Sequence, residues 1–132
     1  MKIETFNTQP TFKTFEPYHL SLGAKANGFL FVTGQVGFED DGTLPEDDDR
    51  QVENVFRHLD RILADAGAEW ANVVQMRSYH LDKLMETQAL KILEEKRKRM
   101  PDDQHAWTAI GVTHLMPAGS RVEIDVTVAM DS

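Results

Sequence analysis

The chain has 132 residues, 41% of them hydrophobic and 27% charged, the balance of one soluble globular domain large enough to bury a core rather than of a disordered or membrane-spanning chain. A formal net charge of −8 repels phosphate backbones, so nucleic acid is not an expected partner; with no cysteine there is no disulfide, thiol nucleophile or thiolate metal site. The first twenty residues hold no apolar run of signal-peptide length, so a cytoplasmic location with no membrane partner is the expectation.

Residues 1–15 mix Thr, Lys and Phe around Pro10, which suits an edge strand or an extended arm. Pro17, Tyr18 and His19 then lead into two β-prone runs separated by Asn27-Gly28, a strong two-residue hairpin signal. The nearly continuous apolar run 29–32 predicts a central strand covered on both faces. Thr33-Gly34-Gln35 ends it with little side-chain bulk, so another segment can approach the backbone closely. Glu39-Asp40-Asp41-Gly42 reads as a polar loop, and the acids at 46–49 lie where a helix N-terminus favours them.

Over residues 48–66, Val52, Val55, Phe56, Leu59, Ile62, Leu63 and Ala66 recur at three- and four-residue spacing, which predicts an amphipathic helix closed by a left-handed Gly67. After Trp70, residues 73–81 read as a strand with Met76, Ser78 and His80 on one side and Val73, Gln75, Arg77, Tyr79 and Leu81 on the other. Asp82 is the expected cap of a second helix reaching about residue 99, with a stripe of Leu84, Met85, Ala89, Ile92, Leu93 and Lys96, and Pro101 stops it. Its basic run Lys96 to Arg99 complements the negative end of the helix dipole.

Residues 105–130 read as two strands joined by a Pro-Ala-Gly turn. In the second, Val122, Ile124, Val126 and Val128 alternate with Glu123, Asp125 and Thr127, the period of a sheet with one apolar face. The other face carries two carboxylates mid-strand, which makes Glu123 and Asp125 candidates for chemistry, with Asp125 the more structural of the two. The element order implies an α+β fold, a mixed sheet with two helices packed on one face. The opposite face then has no helix to cover it, so its apolar residues are expected to meet another subunit.

Taken in order, Pro17-Tyr18, FLFVTGQV, RQVENVFRHLDRILADAGAEWANVV, the segment ending SYHLDKL and the closing VEIDVTV resemble the Rid (YjgF-like) family over residues 18–130. The resemblance implies a single domain over residues 1–132, a chorismate-mutase-like α+β fold, and a homotrimer with a cleft at each subunit interface. It also implies cofactor-independent hydrolysis of reactive enamines and imines, such as 2-aminoacrylate, to the 2-keto acid and ammonia, a role in metabolite damage control.

Glu123 falls where deaminating members have the glutamate proposed to orient or activate water, and Tyr18 falls on the tyrosine lining the same cleft. The arginine that clamps the substrate carboxylate follows an alanine at the start of the penultimate strand; here Ala106 is followed by Trp107, so the chain resembles a divergent subgroup without it. Thr108 and Ala109 follow at positions whose backbone groups contact substrate and water in the family. A bidentate guanidinium–carboxylate pair is worth roughly 1.5 to 3 kcal/mol, and an indole offers instead a flat apolar or cation-binding surface and one N–H. A simple 2-imino acid such as 2-aminoacrylate is therefore expected to bind poorly, unless Arg77, Arg121, His105 or His114 supplies a cation.

His19, His58, His80, His105 and His114 show no metal-binding spacing, and there is no phosphate loop or nucleophile elbow. Two readings of function follow. The first is a hydrolytic deaminase of an enamine, imine or related small metabolite, with Glu123 positioning water and Tyr18, Trp107, Thr108 and Ala109 shaping the site. The second is a non-catalytic trimer that binds a small molecule or a protein in the same clefts.

Overall fold

The computed structural model describes residues 1–131. Six strands, β1 (Glu4–Phe6), β2 (Gly23–Ala26), β3 (Phe29–Val36), β4 (Val73–Leu81), β5 (Ala106–Val112) and β6 (Val122–Ala129), form one sheet in the order β1-β2-β3-β6-β4-β5. All neighbours are antiparallel except β4 and β5, which run parallel. The helices are α1 (Phe12–Phe15), α2 (Asp48–Ala66) and α3 (Met85–Arg99), so the mixed α+β fold is as expected, with α1 a short addition.

The long elements form for local reasons. Asn27 and Gly28 take φ of 55° and 82°, the left-handed pair that a tight hairpin needs, and Ala26 pairs with Phe29 across the turn. The Asp47 carboxylate accepts from the Arg50 N–H at 2.9 Å to cap α2, and Gly67 at φ 72° closes it, its N–H bonding Ala64 O. The apolar stripe of α2, from Val52 to Leu63, is buried against the inward face of β6, where Val122, Ile124, Val126 and Val128 are buried as well.

Four expectations need correction. The run 29–32 is not covered on both faces: Leu30 and Val32 are buried, but Phe29 and Phe31 are exposed, because the helices cover only one side of the sheet. Asp82 does not cap α3. It takes a left-handed φ of 49° in a turn where its N–H bonds Val112 O, and the helix starts at Met85 with Leu84 as its N-cap. The buried stripe of α3 is Gln88, Ile92, Glu95 and Lys96, while Leu90 is exposed. Finally, the strands before and after Pro117-Ala118-Gly119 are not neighbours, since β4 lies between β5 and β6 and the turn belongs to a crossover. Residues 1–15 supply both the edge strand β1 and α1, which packs Phe15 edge-on to Phe38. No helix among the described residues is long and apolar enough to cross a membrane.

Two histidines are built into the interior as neutral hydrogen-bond relays. His58 Nε2 lies 2.8 Å from Phe38 O, which only accepts, so Nε2 carries the proton and Nδ1 accepts from Thr11 Oγ1 at 2.8 Å. His80 Nδ1 donates to Gln88 Oε1 at 2.8 Å, because Gln88 Nε2 is committed to Asp48 and Arg121 O, and Nε2 then accepts from Ser78 Oγ at 2.8 Å. Burial pushes both rings below the ordinary value of 6.5.

The sign of the pH effect follows. The unfolded chain takes up these protons at a higher pH than the folded one, so their contribution is complete above pH 6.5 and is lost as pH falls toward the folded values. Urea unfolding should show stability declining from about pH 7 to about pH 5, with a shallower slope in a His58→Gln, His80→Gln double variant. An unchanged slope in that variant would assign the decline to other groups.

Candidate active site around Glu123

The site begins with an irregularity in β3. Its register on β6 shifts between Val32 and Gln35, and the displaced backbone is pinned at Thr33, whose N–H bonds Leu22 O at 2.8 Å and whose Oγ1 donates to Ser21 O at 2.7 Å. The Gln35 side chain turns inward and donates to Thr33 O at 2.8 Å, leaving its own Oε1 sealed without a partner. This places Gly34 flush against the Glu123 side chain: a Cβ on Gly34 would stand 2.8 Å from Glu123 Cδ, inside contact distance. The close approach anticipated at Thr33-Gly34-Gln35 is therefore a glycine making room for a carboxylate.

Glu123 sits mid-sheet on β6, opposite Val36 of β3 and Tyr79 of β4. Burial raises its pKa above the usual 4.5, and the neighbouring Asp125 carboxylate raises it further. Asp125 itself is matched, accepting from Arg77 Nε and from Tyr79 Oη, both at 3.0 Å. Glu123 has no such partner among the described residues, so its proton is held more tightly than a surface carboxylate's. That is the environment of a general acid or base.

The carboxylate forms part of the lining of a cavity of about 280 Å³. Tyr18 lines the same cavity, at the end of a single helical turn (Glu16–Tyr18) opened by Pro17 and ended by His19 at a left-handed φ of 55°. Phe15, Val36, Phe38, Met116 and Pro117 give it apolar walls, and no lysine or arginine lines it. The sequence reading missed these walls, because they come from α1, the end of β3 and the β5–β6 crossover, which approach one another only in the folded chain.

Tyr18 and Glu123 are thus brought together. Trp107, Thr108 and Ala109 are not: they lie on the edge strand β5, with β4 between them and Glu123. Thr108 pairs with Arg77 and shares the uncovered face with Glu123, whereas Trp107 pairs with Met76 and faces the helices. There the Trp107 indole N–H donates to Ser78 Oγ at 2.9 Å, and Lys96 Nζ sits 4.0 Å from the ring centroid, a cation–π contact worth about 0.5 to 2 kcal/mol according to its desolvation. Of the cations considered for the missing arginine, Arg77 is paired with Asp125 and Arg121 with Asp48, and His105 is pushed below its ordinary value by burial and by Lys96.

Comparison with known proteins agrees with this architecture. The chain is 32% identical over 112 residues to the RutC family protein YjgH of Escherichia coli (strain K12), covering 85% of this chain and 83% of that protein. It is 33% identical over 111 residues to a RutC family protein of Aquifex aeolicus (strain VF5), covering 83% and 86%. The solved structure of protein YJGH superposes with a TM-score of 0.86 at 28% identity over 100% of this chain and 99% of that one. A family profile described as Endoribonuclease L-PSP matches residues 9–130, which takes in α1, the Glu123 cavity and both long helices. The chain therefore belongs to the Endoribonuclease L-PSP (YjgF/RutC) family.

Proposed function

We propose that the chain is a cofactor-independent hydrolytic deaminase of a reactive imine or enamine other than 2-aminoacrylate. The observation that carries this reading is Glu123, a carboxyl held above its usual pKa against Gly34 in a small apolar-walled cavity. In this scheme Glu123 takes a proton from water as its oxygen bonds to the imine carbon. That proton is passed to nitrogen, giving a carbinolamine; Glu123 then takes the hydroxyl proton and delivers it to the amino nitrogen as the C=O bond forms and the C–N bond breaks, so ammonia leaves a carbonyl compound. Tyr18 orients the substrate, and the apolar walls keep bulk water from competing with the positioned molecule.

The lining of this cavity bears on specificity. With no lysine or arginine in it, a substrate carboxylate would face Glu123 without a counter-charge, which disfavours 2-imino acids. We further propose a homotrimer in which the uncovered sheet face, with Phe29 and Phe31 exposed, meets neighbouring copies. In that assembly Thr108, which shares the uncovered face, would approach another copy's Glu123.

Ammonia and carbonyl release should be measured on freshly generated imines with and without an α-carboxylate. The uncarboxylated compounds should turn over faster, and Glu123→Gln should lose on the order of 100- to 10,000-fold in kcat. Gly34→Ala, which displaces the carboxylate, should lose a comparable factor while retaining the far-UV circular dichroism of the parent. Activity of the parent should rise with pH through an apparent pKa above 4.5. A folded parent chain inactive on every compound would instead favour a non-catalytic module that binds small molecules in the same cavity.

A further inference from the structure

The Glu123 cavity has a packed back and an open rim. Phe15, Val36 and Phe38 are buried, and the two rings meet edge-on with centroids 6.3 Å apart, so this wall belongs to the core. At the rim, Tyr18 is 44% exposed and Met116 63% exposed, large side chains left in contact with water. An apolar group seated between wall and rim would take both away from water, and a ring or branched chain beside Met116 meets an adaptable thioether.

The polar side chains of the lining are few, and most are already engaged. Thr14 Oγ1 donates to Thr11 O at 3.2 Å and Thr33 Oγ1 to Ser21 O at 2.7 Å, so neither hydroxyl has a proton left for a ligand. The Tyr18 hydroxyl and the Glu123 carboxyl are the lining side-chain groups left to meet one among the described residues. A carboxyl without a cation is complemented by a nitrogen base or its N–H cation, which brings the missing charge. The cavity, about 280 Å³, lies at the small end of the range of about 300 to 1,000 Å³ usual for ligand pockets, so it suits one ring or branched chain with a short polar head rather than a nucleotide or a peptide.

We propose that the Glu123 cavity binds the uncarboxylated imine of an aromatic or branched-chain aldehyde, its nitrogen end at Glu123 and its apolar group between the Phe15 and Phe38 wall and Met116. This names the substrate class of the deaminase reading and rests on that reading for turnover; the fit of an apolar nitrogen cation to the cavity can be measured without turnover.

The test has a binding arm and a turnover arm, both on the full chain. Calorimetric titration with benzamidine, a stable planar N–H cation on a ring, should give saturable binding. Acetamidine, which keeps the head without the ring, and benzamide, which keeps the ring without the charge, should each bind at least about tenfold more weakly. Glu123→Gln should weaken benzamidine by at least about tenfold while keeping a cooperative melt. Met116→Ser, at an exposed rim position, should weaken benzamidine several-fold and leave acetamidine unaltered. Equal binding of acetamidine or benzamide, no saturable heat with benzamidine, or benzamidine binding unaltered in folded Glu123→Gln would overturn the proposal. In turnover, the imine of 3-methylbutanal should exceed acetaldimine by at least about tenfold in kcat/KM, each taken relative to its hydrolysis in water. Equal relative values would overturn the proposal and leave the deaminase reading standing. Benzamidine binding that depends on Glu123, with no turnover of either imine, would uphold this assignment of the cavity and overturn the deaminase reading.

Discussion

Everything in this molecule hangs on the alternation along β6. Val122, Ile124, Val126 and Val128 are buried under the helices, which commits Glu123, Asp125 and Thr127 to the opposite face. A slip of one residue would exchange the two sets and bury carboxylates under α2, so the register is set by the hydrophobic term. β6 also lies between β3 and β4, so whatever it presents is held on both sides by hydrogen-bonded neighbours. Glu123 stands one residue into this strand, opposite Val36 and Tyr79, so its backbone is held as a loop residue's would not be.

Among the described residues, two charges drawn away from water without an ion-pair partner are opposite in sign. Glu123 is a carboxyl without a cation, raised by burial, and Lys96 is an ammonium without a carboxylate, lowered by burial. The other charged groups of the interior and its margin are matched. Glu39 takes Arg50 and Asn54, which bring its pKa down to about 2, and Asp125 takes Arg77. Arg121 takes Asp48. Unmatched charges away from water are expensive; Glu123 lines a cavity on the uncovered side of the sheet, and Lys96 lies against Trp107 on the helix side.

The backbone supports this arrangement at specific points. The register shift in β3 exists because Thr33 is tied to Leu22 and Ser21 while Gln35 is drawn inward, and only a glycine at position 34 leaves the Glu123 carboxyl its place. The buried chain from Trp107 through Ser78, His80 and Gln88 to Asp48 links β5, β4, α3 and α2, so the indole on the edge strand is fixed by elements across the core.

Patterns of short period were legible in the sequence by itself. The apolar stripe of α2 and its Gly67 stop, the Asn27-Gly28 hairpin, the two-faced β6 and the room at Gly34 are each written in residues close along the chain, where local sterics and the periods of helix and strand act directly. Glu123 and Tyr18 stood out as candidates through their family positions, and the fold brings both to one cavity. What only the tertiary structure decided is which distant segments meet. The separation of β5 from β6 by β4, the exposure of Phe31, the apolar walls of the Glu123 cavity and the seating of Lys96 on Trp107 depend on contacts between residues far apart in sequence. Lys96 in a run of four basic residues reads as surface charge, and only the packing of α3 on β5 turns its ammonium inward, because the helix must bury one stripe and that stripe includes position 96.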